Sequence, residues 1–183
     1  PPEEVLKLLN EYFEAMIEVI FNFNGTLDKF IGDGMMIEFG APLADENQEF
    51  HAVMTALHMQ LHLEKLNDKW EKEGKKRLSM GIGIHSGLVV LGNVGSERRM
   101  EYTAIGDAVN ISARLERMTK KLNKRIIVSK AIHDKTKDYF FYEDLQEIQL
   151  PGRTGFIQAY ALELNDQKDF HQDNKREQHE KSD

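Results

Sequence analysis

The sequence contains no cysteine in its 183 residues. A disulfide scaffold, a zinc–thiolate site, an iron–sulfur cluster and a cysteine nucleophile are therefore excluded, and a reducing compartment suits the chain. No apolar run approaches the ~18 residues a membrane-spanning helix needs. The opening Pro1-Pro2-Glu3-Glu4 lacks the basic and apolar regions of a secretory signal. Positive charge is in the minority. Lys and Arg number 24 against 31 Asp and Glu, a net charge of −7. Coating of nucleic acid needs clustered cations, so that role is disfavoured. No contact with a membrane is expected of these residues either. No internal repeat is visible. Against these absences, 40% of the residues are apolar and 30% charged, enough to bury a core in a chain the length of one domain with a tail.

The patterning predicts α-ββ-α-ββ-α-β-α-ββ. Val5, Leu8, Leu9, Tyr12, Met16, Val19 and Ile20 fall at helical spacing, and Gly25 is a natural stop. Two β-like runs, Thr26–Ile31 and Met35–Phe39, flank Gly32-Asp33-Gly34 and read as a hairpin with Asp33 at its tip. Asp45 and Gln48 resemble a capping box before a long helix to about Lys72. Leu78–His85 and Leu88–Val94 read as strands joined at Ser86-Gly87, with Gly81 and Gly83 implying close backbone approach. Glu101–Ala104 extends the sheet.

Gly106 to Lys121 reads as a helix with Ala108, Ile111, Leu115 and Met118 on one face and Asn110, Arg114, Arg117 and Lys121 on another. Arg125–Val128 is a strand, Ser129 caps a short helix, and Tyr139–Leu150 and Phe156–Leu164 form a last β pair. Residues 165–183 are polar and charged and read as a disordered tail. The fold class expected is α+β, a ferredoxin-like or palm-type sheet, mostly antiparallel, with helices packed on one side.

Several residues can carry chemistry, and each also has an ordinary structural use. Asp33 at a glycine-flanked tip can reach a hard cation, or is a turn aspartate. Lys29, four residues earlier, can neutralise phosphate or bond a substrate, or guards a strand edge. Asn110 and Arg114 project from one helical face, where they suit a sugar and a phosphoryl group or simply meet solvent. Arg98 and Arg99 can clamp phosphates or line a solvated turn. The stretch GLVVLGNVGS lacks the Gly-Lys-Ser/Thr ending of a P-loop. His58 and His62 have the spacing of a zinc helix, but Met59 stands where the Glu should be. His85 and Ser86 are strand neighbours and point to opposite faces, so they do not form a nucleophilic pair.

Three segments taken together resemble one family: GTLDKFIGDGMMIEFGAP, GIGIHSGLVVLGNVGSERRMEYTAIGDAVNISARLE and the strand Phe156–Leu164. They resemble the catalytic domain of class III nucleotide cyclases of the bacterial adenylate cyclase type, over about residues 2–164. Lys-x-x-x-Asp in the first hairpin combined with Thr-x6-Asn-x3-Arg downstream is the specific part.

The resemblance implies conversion of ATP to cyclic AMP and pyrophosphate, assisted by two divalent ions, Mg²⁺ or Mn²⁺, in a homodimer with shared sites. It makes Asp33 a metal ligand, Lys29 and Thr103 the readers of the base, Asn110 the residue that positions the ribose and Arg114 the one that stabilises the transition state. Arg99, or Arg98, approaches the triphosphate. It also implies a cytoplasmic domain with a regulatory domain upstream in the parent protein. The family's first strand, which carries the second metal aspartate, has no counterpart here, so the 183 residues alone are expected to be poorly active. Pro151 replaces a common Lys, with Arg153 as a substitute. Three other readings compete: a non-catalytic nucleotide-binding or dimerisation module, a guanylate cyclase, which Lys29 disfavours, and a palm-type nucleotidyl polymerase, which the missing GGDEF-type segment disfavours.

Overall fold

A computed structural model describes residues 2–152 and 154–164. Arg153 and the predicted tail, 165–183, lie outside the described residues. The elements in chain order are α1 (Pro2–Asn22), β1 (Thr26–Ile31), β2 (Gly34–Glu38), α2 (Gln48–Lys72), β3 (Ile82–Ile84), β4 (Val90–Ser96), β5 (Arg99–Ile105), α3 (Asp107–Leu122), β6 (Ile126–Ser129), α4 (Lys130–Thr136), β7 (Tyr142–Gln149) and β8 (Phe156–Leu162). The strands form three hydrogen-bonded groups: the β1–β2 hairpin, the β4–β5 ribbon and a sheet in the order β3-β6-β8-β7. Every pairing is antiparallel except β3 with β6. The α+β class and its mostly antiparallel pairing therefore hold.

β6 shows how the layers are set. Its residues are all buried. Ile126 and Val128 pack with Val53, Ala56 and Leu57 of α2 and Ile132 of α4. Ile127, pointing to the other face, packs with Ile111, Leu115 and Met118 of α3. The helices, expected on one side, thus occupy both faces of this sheet. An apolar run without alternation is what a strand covered twice requires. Gly83 makes the α3 layer possible. A Cβ there would come within 2.3 Å of the Glu116 nitrogen and the Ser112 oxygen in the α3 backbone. The second core joins α1 (Tyr12, Met16, Val19, Ile20) to α2 (Met59, Leu63, Trp70). Val5, counted in the apolar stripe of α1, remains exposed.

Several local expectations are corrected. The run from Leu78 does not extend as a strand until Ile82, because α2 amide side chains take the place of a neighbouring strand. Asn67 donates from Nδ2 to the Leu78 oxygen at 2.9 Å and accepts the Leu78 N–H on Oδ1 at 2.8 Å. Gln60 donates to the Met80 oxygen at 2.8 Å. β3 and β4 do not form a hairpin, since β3 pairs with β6 and β4 with β5.

Asp45 does not cap α2. Its carboxylate accepts the Asn47 N–H and pairs with His51, and the helix starts at Gln48. Ser129 precedes α4 but makes no side-chain cap; its hydroxyl bonds His85 Nδ1 at 2.8 Å. Ser86 instead donates to Glu49, so His85 and Ser86 do serve different neighbours. At the end of α1 the left-handed residue is Asn24, not Gly25.

Candidate active site

The β1–β2 hairpin turns on Gly32 and Asp33, with Ile31 paired to Gly34. Gly32 has φ +64°, the conformation a two-residue hairpin turn asks of its first residue and that glycine adopts without strain. Asp33 stands exposed at the tip, as expected. Its charge reaches inward. Together with burial, which is the larger cause, it pushes the Tyr12 hydroxyl up to about 12.

Further down the hairpin the ladder slips. Leu27 pairs with Ile37 but Lys29 pairs with Met36, so Asp28 is the extra residue of a bulge. On a regular strand Asp28 and Lys29 would point to opposite faces. Here both approach β5. Asp28 Oδ2 accepts a hydrogen bond from the Thr103 hydroxyl at 2.6 Å and lies 3.4 Å from the Ala104 nitrogen. Lys29 Nζ donates to Glu101 Oε2 at 2.9 Å and sits 3.7 Å from Asp28 Oδ1. Glu101 Oε1 holds Arg99 at 3.2 Å. The Glu101 bond keeps the Lys29 ammonium above its ordinary range and, in return, holds the Glu101 carboxyl below its own.

Arg99, Glu101 and Thr103 alternate along β5 and share one face of the ribbon. Opposite Thr103 stands Gly92, where a Cβ would meet nothing within 4 Å, so that face has open space beside the hydroxyl.

Glu38, at the end of β2, completes this seam. The Asp28 side chain is only 2% exposed, and its Oδ1 and Glu38 Oε1 are both buried without a hydrogen-bond partner. Burial and, next, the neighbouring Asp28 carboxyl push Glu38 from 4.5 to about 7. A proton on Glu38 supplies the donor that two facing carboxyls lack.

Among the predicted residues, Lys29, Thr103 and Arg99 are brought to one seam. Asn110 and Arg114 lie on α3, exposed and half-buried respectively. Among the described residues neither side chain is engaged in a hydrogen bond or ion pair. Asp33 is at the exposed tip of the β1–β2 hairpin. The described residues contain no group of three or more metal-ligating side chains, so one exposed carboxylate does not by itself fit a two-ion site. Reading the sequence missed Asp28, Glu38 and Glu101. Glu38 left a signal, as the charged residue in the apolar run Met35–Phe39. Asp28 left none, because only the bulge brings it beside Thr103.

The family model described as the adenylate and guanylate cyclase catalytic domain matches residues 1–164. The chain belongs to that family. Among curated relatives of this cyclase domain, adenylate cyclase 1 of Rhizobium meliloti is 35% identical over 161 residues, covering 88% of the chain and 24% of the relative. The guanylyl cyclase Cya2 superposes with a TM-score of 0.81 at 35% identity, over 88% of this chain and 81% of that one. The adenylyl cyclase CyaB from P. aeruginosa superposes with a TM-score of 0.82 at 29% identity, over 90% and 85%. The chain spans about a quarter of the length of the Rhizobium meliloti relative and of the adenylate cyclase of Anabaena cylindrica. Among its described residues no helix is long and apolar enough to cross a membrane.

Proposed function

We propose that this cyclase domain converts ATP to cyclic AMP and pyrophosphate, as the cytoplasmic catalytic part of a longer signalling protein with a regulatory domain. The ribose 3′ oxygen attacks the α-phosphorus. The bond to the leaving pyrophosphate breaks, and the 3′ hydroxyl gives up its proton to solvent water. Lys29 and Thr103 read the adenine edge. Asn110 holds the ribose, and the Arg114 guanidinium meets the charge that develops at the reacting phosphorus. Arg99 faces the triphosphate once it leaves Glu101. Asp33 would hold a divalent ion, Mg²⁺ or Mn²⁺, which would supply charge neutralisation at the phosphates.

The observation that carries this reading is the seam itself. An ammonium and a hydroxyl 74 positions apart in sequence, Lys29 and Thr103, are tied to one buried carboxylate, Asp28. The site is shared between two copies. The β4–β5 ribbon leaves Val90, Met100, Tyr102 and Ile105 exposed, apolar surface suited to a second copy of the chain. The test is cyclic nucleotide formation from ATP by the intact protein. Cyclic AMP is expected, and Arg114→Ala is expected to abolish it with an unchanged melting curve. ATP binding without turnover in the intact protein would favour a non-catalytic module instead. A guanylate cyclase is the second reading, favoured by the likeness to Cya2; preferred turnover of GTP would establish it.

A further inference from the structure

We propose that Asp28 sets which purine the site accepts, by fixing the direction of the Thr103 hydroxyl. This rests on the reading of Lys29 and Thr103 as the pair that meets the base. A threonine hydroxyl has one hydrogen to give and lone pairs to receive. Left free, it rotates and serves a donor or an acceptor equally. Here it is not free. Asp28 Oδ2 lies 2.6 Å from Thr103 Oγ1, and the Ala104 nitrogen approaches the same oxygen at 3.4 Å. An oxygen receiving a backbone N–H is an acceptor, so Thr103 is the donor of the short bond. Its hydrogen is spent inside the protein. Toward a ligand it can then offer only lone pairs.

The open space opposite, at Gly92, is where such a ligand edge has room. Lys29, 3.7 Å from the other oxygen of the same carboxylate, can only donate. One donor and one enforced acceptor complement adenine, which presents an acceptor nitrogen beside an exocyclic amine. Guanine presents an N–H beside a carbonyl oxygen and would set donor against donor and acceptor against acceptor. Asp28 is therefore a positioning residue that acts through Thr103 without touching the substrate.

The test compares kcat/KM for ATP and for GTP in the intact protein. Asp28→Ala removes the acceptor altogether, which releases the hydroxyl hydrogen toward the base. The ATP-to-GTP ratio is expected to fall on the order of tenfold, the worth of one directed hydrogen bond. Thr103→Val, which leaves Asp28 in place, is expected to lower the ratio similarly, and Thr103→Ser to restore it. In the Thr103→Val background, adding Asp28→Ala is expected to move the ratio by less than about twofold, the size expected of uncoupled residues.

An unchanged ratio in a folded Asp28→Ala protein would overturn the inference. So would an equal effect of that substitution with and without the hydroxyl. If Asp28→Ala does not fold, an unchanged ratio in Thr103→Val overturns it alone. A wild-type protein with no preference for ATP would overturn the reading beneath it, a failure visible before any substitution is made.

Discussion

β6 and the β4–β5 ribbon are both rich in apolar residues, and they are used in opposite ways. Ile126, Ile127 and Val128 are each 0% exposed, held between α2 and α4 on one face and α3 on the other. Val90, Met100 and Tyr102 of the ribbon are 73%, 59% and 58% exposed. The difference lies in the neighbours. β6 is flanked by strands and covered by helices, whereas the ribbon pairs with itself and meets β1 through polar groups, Asp28 with Thr103 and Lys29 with Glu101. Apolar character in the first place makes stability. In the second it stays on the surface, and the Asp28–Thr103 seam lies where that surface joins the folded body.

That contrast can be broken at four points, in falling order of effect. Trp70, fully buried between α1 and α2, is expected to cost about 3–5 kcal/mol as Trp70→Ala, read by urea unfolding. Asn67→Ala leaves the Leu78 N–H and C=O without their partners and is expected to cost roughly 2–4 kcal/mol in the same assay.

Glu38→Gln acts at the seam and shows itself through pH. A carboxyl whose folded-state value lies above its unfolded one binds its proton more tightly when folded. Its contribution is complete below the ordinary 4.5 and is lost as pH rises through about 7. Melting temperature in the wild type should decline across that window, and Glu38→Gln should flatten the decline. Last, Tyr102→Ala on the exposed ribbon is expected to change monomer stability by less than about 0.5 kcal/mol. It should weaken self-association measured by sedimentation. A large loss of stability there would erase the distinction between the two regions.

How much of this could be read from residues alone follows the same division. The Gly-Asp-Gly tip, the two faces of α3 and the close approach at Gly83 are local consequences of backbone freedom and helical period, and each lies where the sequence puts it. The length of β3 could not be read, because Asn67 and Gln60, on a distant helix, satisfy the backbone at Leu78 and Met80. Nor could the two-sided covering of β6 be placed, since an apolar run does not say which helix covers which face. In the site, Lys29, Thr103, Asn110 and Arg114 stand out through their resemblance to a family. The Asp28–Glu38 pair depends on a one-residue slip in a ladder, and strand periodicity places Asp28 on the wrong side.

The central claim is that a single site is assembled from two copies, one supplying Asp33 and the other Lys29, Thr103, Asn110 and Arg114. Mixing Asp33→Ala and Arg114→Ala forms of the intact protein, each inactive alone, tests it most directly, with mixed dimers verified by differential tagging. Partial recovery of cyclic AMP formation is the predicted result; verified mixed dimers that remain inactive would contradict the claim.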